Sequence, residues 1–250
     1  MLTDPLFYLV SIPAVLLYGV AKGGFGGAIA ILAVPLMSLL IAPAQAAAIL
    51  LPILVLMDFV VVYSYRGQYD AEALKLMLPG ALLGIGLGWW LAGEMNESVT
   101  RLLVGAVALA FGIQSLLGRT SAQSQQHRRG PATAFGAVAG FTSFSIHAGG
   151  PPFTMYLLPK RLPPVVFAGT GGVFFMVVNL AKLPPYYSLG QFSTDNLLLS
   201  LVLMPIAPMG VLIGRYLVRR STPELYYRLI AFFLAIVGVK LLWDGVAGVL

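Results

Sequence analysis

The chain has 250 residues, 59% of them hydrophobic and only 10% charged, with a formal net charge of +6 and no cysteine. So apolar a chain, of mean hydropathy +0.90, is not a soluble domain and reads as an all-α polytopic membrane protein. Without cysteine, disulfides, thiolate metal sites and thiol catalysis are excluded; no basic patch is interleaved with aromatics, so the positive charge points to cytoplasmic loops and not to nucleic acid.

The apolar runs do not alternate as barrel strands do, so the spans are predicted as helices. No basic n-region precedes the first run, and no cleavable signal peptide is expected. That run, 5–41, is interrupted in its middle. Four glycines in five positions, Gly23, Gly24, Gly26 and Gly27, should unwind a helix there. Unwound backbone at membrane depth is tolerated only inside protein or against a wet cavity. A helix restarting near Phe25 would aim free amides and a positive dipole end into the gap beside Lys22, and an anion is the natural occupant.

Helices are predicted next over 43–65, 73–93 and 99–118, which completes a first repeat, 1–118. A polar linker, 119–130, follows and is expected to be cytoplasmic. The second repeat, 131–250, opens with another interrupted run, 132–159, in which Ser143, Ser145, His147, Gly149 and Gly150 precede Pro151 and Pro152. Helices are then predicted over 164–187, 197–218 and 225–246.

The two halves match. At a spacing of 123, Gly26 and Gly27 fall on Gly149 and Gly150, and Tyr63, Gly67 and Gln68 on Tyr186, Gly190 and Gln191. At 126, Pro79, Gly84, Gly88 and Gly112 fall on Pro205, Gly210, Gly214 and Gly238. One register shared by so many glycines and prolines argues for duplication. Charge suggests how the copies lie. If each interrupted run is a re-entrant hairpin followed by three crossings, the halves are inverted. One face then receives Arg66, Lys75, Arg119, Arg128, Arg129, Lys160, Arg161, Arg215, Arg219, Arg220 and Arg228. The other receives Arg101 alone, which places both termini in the periplasm. Two complete crossings of a ~30 Å core would need about 40 residues, more than the second run holds, so short half-helices are expected. Trp89, Trp90, Tyr186, Tyr187 and Trp243 are expected at the outer interface, and Tyr63, Tyr65, Tyr226 and Tyr227 at the inner one.

Inverted repeats with paired broken helices are a transporter architecture, with the solute held where the breaks meet. The predicted solute-binding set is therefore Lys22, Gly23, Gly24, Phe25, Gly26 and Gly27 facing Ser143, Ser145, His147, Gly149 and Gly150. Thr170 is added as a polar liner. Asn179 and Lys182 are added because they share a helix face in the middle of a span. Asp58, a carboxylate at membrane depth, and His147, whose pKa lies near neutrality, are the candidates for proton coupling. The glycines have a competing reading as small residues at close helix crossings; Gly84, Gly86 and Gly88 are assigned that role. Lys240 is expected to snorkel. Gln45 is a weaker candidate. No metal or cofactor site is expected.

These residues resemble the sulfite exporter TauE/SafE family of bacterial membrane transporters. The resemblance lies in Gly23 to Gly27 followed by Val34 and Pro35, and in the Arg66 to Asp70 loop. In the second half it lies in Gly140, Phe141, Gly149, Gly150, Gly169, Thr170, Asn179 and Lys182, followed by Tyr187 and Gly190. It spans nearly the whole chain and implies movement of small sulfur-containing anions, sulfite, sulfoacetate or related sulfonates, mostly outward across the bacterial inner membrane. The chain departs from the usual family pattern in having Ser145 to Ala148 before Gly149. The expected partners are a small anionic solute and the lipid bilayer; a homodimer is left open. The alternatives are a passive anion channel with the same pore, an intramembrane enzyme and a structural scaffold. The enzyme lacks an orienting acid beside Ser143, Ser145 and His147. No phosphate-loop string occurs, so an ATP-driven pump is not expected.

Overall fold

The computed structural model describes residues 4–25, 30, 33–92, 97–117 and 127–248. The order is α1 (Pro5–Gly24), α2 (Ala33–Met37), α3 (Pro43–Ser64), α4 (Ala71–Trp90), α5 (Glu97–Leu116), α6 (Arg129–Ile146), α7 (Gly150–Leu157), α8 (Pro164–Ser188), α9 (Thr194–Leu203), α10 (Ala207–Arg220) and α11 (Pro223–Ala247). No strand occurs among the described residues. Six helical stretches among them are long and apolar enough to cross a membrane, α9 and α10 counting as one. A 3-10 turn at Met204–Ile206, where Pro205 removes a donor, joins those two.

Local chemistry sets the starts. Asp4 caps α1 by accepting from Leu6 N at 3.0 Å, and Asp70 caps α4 by accepting from Ala73 N at 2.9 Å. Ser193 and Thr222 do the same for α9 and α11. Gly67 and Gly190, paired by the 123-residue spacing, follow α3 and α8 with φ of +70° and +68°, a turn conformation that a side chain would strain.

The second interrupted run is built of unequal arms, not of two half-helices. In it, α6 has 18 residues and α7 eight, so at 1.5 Å per residue only α6 approaches the ~30 Å of a bilayer core. The long arms gain from their length because each lies backbone to backbone on a partner. On α1, Gly19 and Gly23 press on Gly210 and Val211 of α10; a Cβ on Gly19 would stand 2.8 Å from Gly210 Cα. On α4, Gly80 and Gly84 press on Thr133 and Ala137 of α6, and Gly136 and Gly140 return the contact against Met77 and Ala81. These are small-x-x-x-small crossings, which let lipid-embedded helices approach closely. The remaining main pairs are α3–α8 and α5–α11. Exchange of α1 for α6, α3 for α8, α4 for α9–α10 and α5 for α11 maps this set of pairs onto itself.

The helix ends sort onto two faces. On one, Tyr65 reaches Gly23 O, Tyr226 reaches Gly24 O, Tyr227 reaches Leu162 O and His127 reaches Asp70. Arg66, Arg128, Arg129, Lys160, Arg161 and Arg228 flank those contacts in the chain. On the other face, the ends of α4 and α8 and the start of α5 surround a cavity that contains Arg101. Trp90, Trp243 and Tyr187 are exposed, as expected of interfacial anchors, whereas Tyr65, Tyr226 and Tyr227 are buried. Their hydroxyls are spent on backbone carbonyls inside the protein, which a headgroup anchor would leave for water.

The glycine crossings predict a matched pair of outcomes. A Cβ on Gly84 would overlap the Ala137 carbonyl, whereas Gly86, two residues on, has nothing within 4 Å. Gly84→Ala should cost about 1–3 kcal/mol of stability and lower the melting temperature in detergent. Gly86→Ala should leave it unchanged or raise it slightly, since alanine favours the helix. Equal melting temperatures would refute the crossing.

Candidate functional site

What stops the long arms is the first surprise of the site. α1 stays helical through Gly23 and Gly24, and Phe25 is its C-cap, donating to Ala21 O at 2.8 Å. The expected unwinding at Gly23 and Gly24 is not found; the helix restart expected near Phe25 would run through residues outside those described. Both glycines are held straight by the crossing with α10 and by two tyrosines, Tyr65 at the end of α3 and Tyr226 of α11: Gly23 O accepts from Tyr65 Oη at 2.6 Å and Gly24 O from Tyr226 Oη at 2.7 Å. Those are carbonyls that a helix end leaves without partners. Burial holds the Tyr65 phenol well above its usual pKa, against the pull of Arg215 and Arg219, so it remains a donor. Phe25 stacks on Tyr226, 5.9 Å between centroids, in an aromatic cluster. Gly26 and Gly27 lie outside the described residues.

The second arm ends at Ile146. His147 turns the chain with a left-handed φ of 53°. Ala148 N then donates to Thr142 O at 3.0 Å, and Thr142 Oγ1 donates to Ala148 O at 3.0 Å. α7 begins at Gly150. Pro151 and Pro152 carry no N–H, so the donors at its start are the amides of Gly149 and Gly150.

Between these ends runs a string of buried polar groups from four helices. Lys22 Nζ of α1 pairs with Asp58 Oδ1 of α3. Asp58 Oδ2 accepts from Asn179 Nδ2 of α8 at 2.7 Å. Asn179 Oδ1 accepts from Lys182 Nζ, one turn on, at 3.4 Å. Lys182 Nζ also donates to Ser143 O of α6 at 2.9 Å and lies 3.4 Å from Ser143 Oγ and 3.5 Å from His147 Nδ1. Lys182 is 0% exposed. None of the ion pairs among the described residues includes it. Its acceptors are neutral.

Two cavities meet at His147. The inner one, lined by Tyr18, Lys22, Ser143, Gly149, Gly150 and Asn179 among others, has about 10 Å³ of free space, room for about one water. The outer one is a vestibule of about 200 Å³ with Arg101, Ser145 and Gln191 in its wall. His147 lines both, and Tyr186 lines the vestibule. Tyr186 Oη donates to Phe144 O at 3.2 Å and lies 2.9 Å from His147 Nε2. With its proton on Phe144, that hydroxyl accepts from Nε2–H, which leaves the Nδ1 lone pair toward Lys182. We read the Tyr186–His147 contact as the partition between the two spaces.

Of the predicted residues, Lys22, Asp58, Ser143, His147, Gly149, Gly150, Asn179 and Lys182 come together. Ser145 faces the vestibule and bonds back to Phe141 O. Thr170 lies elsewhere: it donates to Val166 O at 2.6 Å and accepts from Asp70 N at 2.9 Å, tying α8 to the start of α4. Gln45 donates to Asn196 Oδ1 at 3.0 Å, and Lys240 pairs with Asp244 on its own helix. Tyr18 and Phe175 in the inner wall and Tyr186 in the partition escaped the sequence reading as site residues. A signal existed for two of them, since Tyr18 precedes Lys22 by one helical turn and Tyr186 follows Lys182 by one.

Comparison with known proteins adds a family. The model of the sulfite exporter TauE/SafE family matches residues 11–241. Probable inner membrane transporter protein TsaS of Comamonas testosteroni is 28% identical over 179 residues, which cover 70% of this chain and 73% of that protein. No solved structure matches the chain.

The partition is testable because the chain has no native cysteine. Ser145→Cys, in the vestibule, should react with a bulky maleimide, and Ser143→Cys, behind the partition, should not. Adding Tyr186→Ala should make Ser143→Cys reactive. Labelling of both cysteines at one rate in the otherwise unaltered protein would refute the partition.

Proposed function

The chain belongs to the sulfite exporter TauE/SafE family, and from that premise we propose that it is a secondary transporter moving a small sulfur-containing anion across the bacterial inner membrane. Sulfite, sulfoacetate and related sulfonates are the proposed solutes. The observation that carries the reading is Lys182, an ammonium buried at membrane depth whose partners are all neutral. Buried charges in such places are costly and mark ion pathways, and an anion between Lys182, Ser143 and the amides of Gly149 and Gly150 would supply the absent negative charge.

Access is proposed to alternate around this point. Support comes from the small inner volume beside a roomy vestibule, which fits an occluded site better than an open channel. We read the halves as inverted repeats, 1–118 and 131–250. In favour, α3 starts on the Arg101 face and ends on the basic face, whereas its counterpart α8 runs the other way. The positive-inside rule then makes the basic face cytoplasmic and both termini periplasmic. Export is the proposed direction. His147, which touches both cavities, and Asp58 are the proposed coupling groups.

Flux into proteoliposomes tests the reading, with sulfite, sulfoacetate, phosphate and chloride compared side by side. Movement of sulfite in preference to phosphate and chloride is expected; equal movement of all four would overturn the reading. Lys182→Met should lower sulfite flux about tenfold or more while the protein remains monodisperse, and undiminished flux would remove Lys182 from the site. Topology is checked separately: single cysteines at Gln68 and Gln191 should be labelled from opposite sides of the membrane. Labelling from one side would refute the inversion.

A further inference from the structure

The buried ions form a short ledger. Lys22 and Asp58 are in contact, and as a pair they carry no net charge whichever of them holds the proton. Both oxygens of Asp58 are engaged, one by Lys22 and the other by Asn179. Lys182 is the remaining ion, and its surroundings are a carbonyl, a hydroxyl, an amide oxygen and an imidazole nitrogen. Asn179 links the two parts, donating to the carboxylate and accepting from the ammonium, so its amide orientation is dictated by charge on both sides. With each group in its ordinary ionised form, two lysines and one aspartate leave one positive charge in excess.

We propose that this set selects solutes that carry a single negative charge, and that Asp58 sets the selection without having to touch the solute. The proposal rests on the reading of this site as the anion site of a transporter. A monoanion beside Lys182 closes the ledger. A dianion leaves one negative charge uncompensated where the surroundings are apolar and the effective dielectric is low, and it faces the Asp58 carboxylate across Asn179. Both effects act against the second charge. Hydrogen sulfite and simple alkanesulfonates therefore rank above sulfate, the sulfite dianion and sulfoacetate, whose carboxylate adds a second charge. Size is not the discriminator, since sulfate and methanesulfonate are both small tetrahedral sulfur anions that differ by one unit of charge and keep that charge near neutral pH.

The experiment is competition against labelled sulfite flux in proteoliposomes, with methanesulfonate and sulfate as competitors. In the unaltered protein methanesulfonate should compete about tenfold or more better than sulfate. Competition by sulfate as strong as that by methanesulfonate would overturn the proposal, and this arm carries no risk of misfolding. Asp58→Asn raises the excess to two positive charges with nearly the same shape, so the ratio should shift toward sulfate. In Lys22→Gln/Asp58→Asn the excess returns to one, and the original ranking should return with it. A ratio unchanged in a monodisperse Asp58→Asn protein, or a double variant that ranks as the single one does, would also overturn the proposal. Absence of any sulfite flux in the unaltered protein would instead count against the transporter reading itself.

Discussion

A lysine ammonium buried among neutral acceptors is the constraint on which the rest of the structure depends. Lys182 can be kept at membrane depth only because α6 ends beside it. The last carbonyls of a helix have no partner within the helix and carry the negative end of its dipole. Ser143 O and Phe144 O are such carbonyls, and Lys182 and Tyr186 take them. The first half repeats the arrangement with other donors, as Tyr65 and Tyr226 take Gly23 O and Gly24 O. The interrupted runs thus bring carbonyl ends to the interior, and the amide donors come from the short arm that follows, at Gly149 and Gly150.

The Lys22–Asp58 pair does different work. Removing one member of a buried ion pair costs about 3–5 kcal/mol, because the other is left uncompensated, whereas the intact pair contributes little net stability. Its value here is positional. With Asn179 it fixes the distance between α1, α3 and α8, and so places the Lys182 ammonium against the end of α6. The glycine crossings make this possible, since four helices can hand polar groups to one another only if their backbones come close.

Much of this was legible in the chain. Apolar runs without alternation showed an all-helical membrane protein, and the few charges inside those runs, Lys22, Asp58 and Lys182, stood out by their cost. Partnership was not legible. Lys22 and Asp58, read as an anion ligand and a coupling group, touch each other across 36 residues, and no local pattern encodes such a meeting. The glycines misled for a related reason. Propensity says that Gly23 and Gly24 weaken a helix, but the loss is outweighed when the missing side chains let α10 lie against the backbone. Thr170 suffered the opposite fate, a polar side chain in a span whose hydroxyl turned out to serve its own helix and the α4 cap.

The same contacts bear on which parts can move relative to which. Pairs whose backbones touch have no side-chain layer to yield, so α1 with α10 and α4 with α6 are expected to move as two stiff units. The polar string runs between them, from Lys22 on the first through Asp58, Asn179 and Lys182 to Ser143 on the second. In the alternating access proposed above, the bond from Lys182 to the Ser143 carbonyl would help keep the units together. An arriving anion competes for the same ammonium, and because a charged acceptor binds it more strongly than a neutral one, occupancy weakens the link between the units. If Lys182 is the solute's ligand, as proposed above, the same residue would also tie the two units together, and binding and release would need no separate relay.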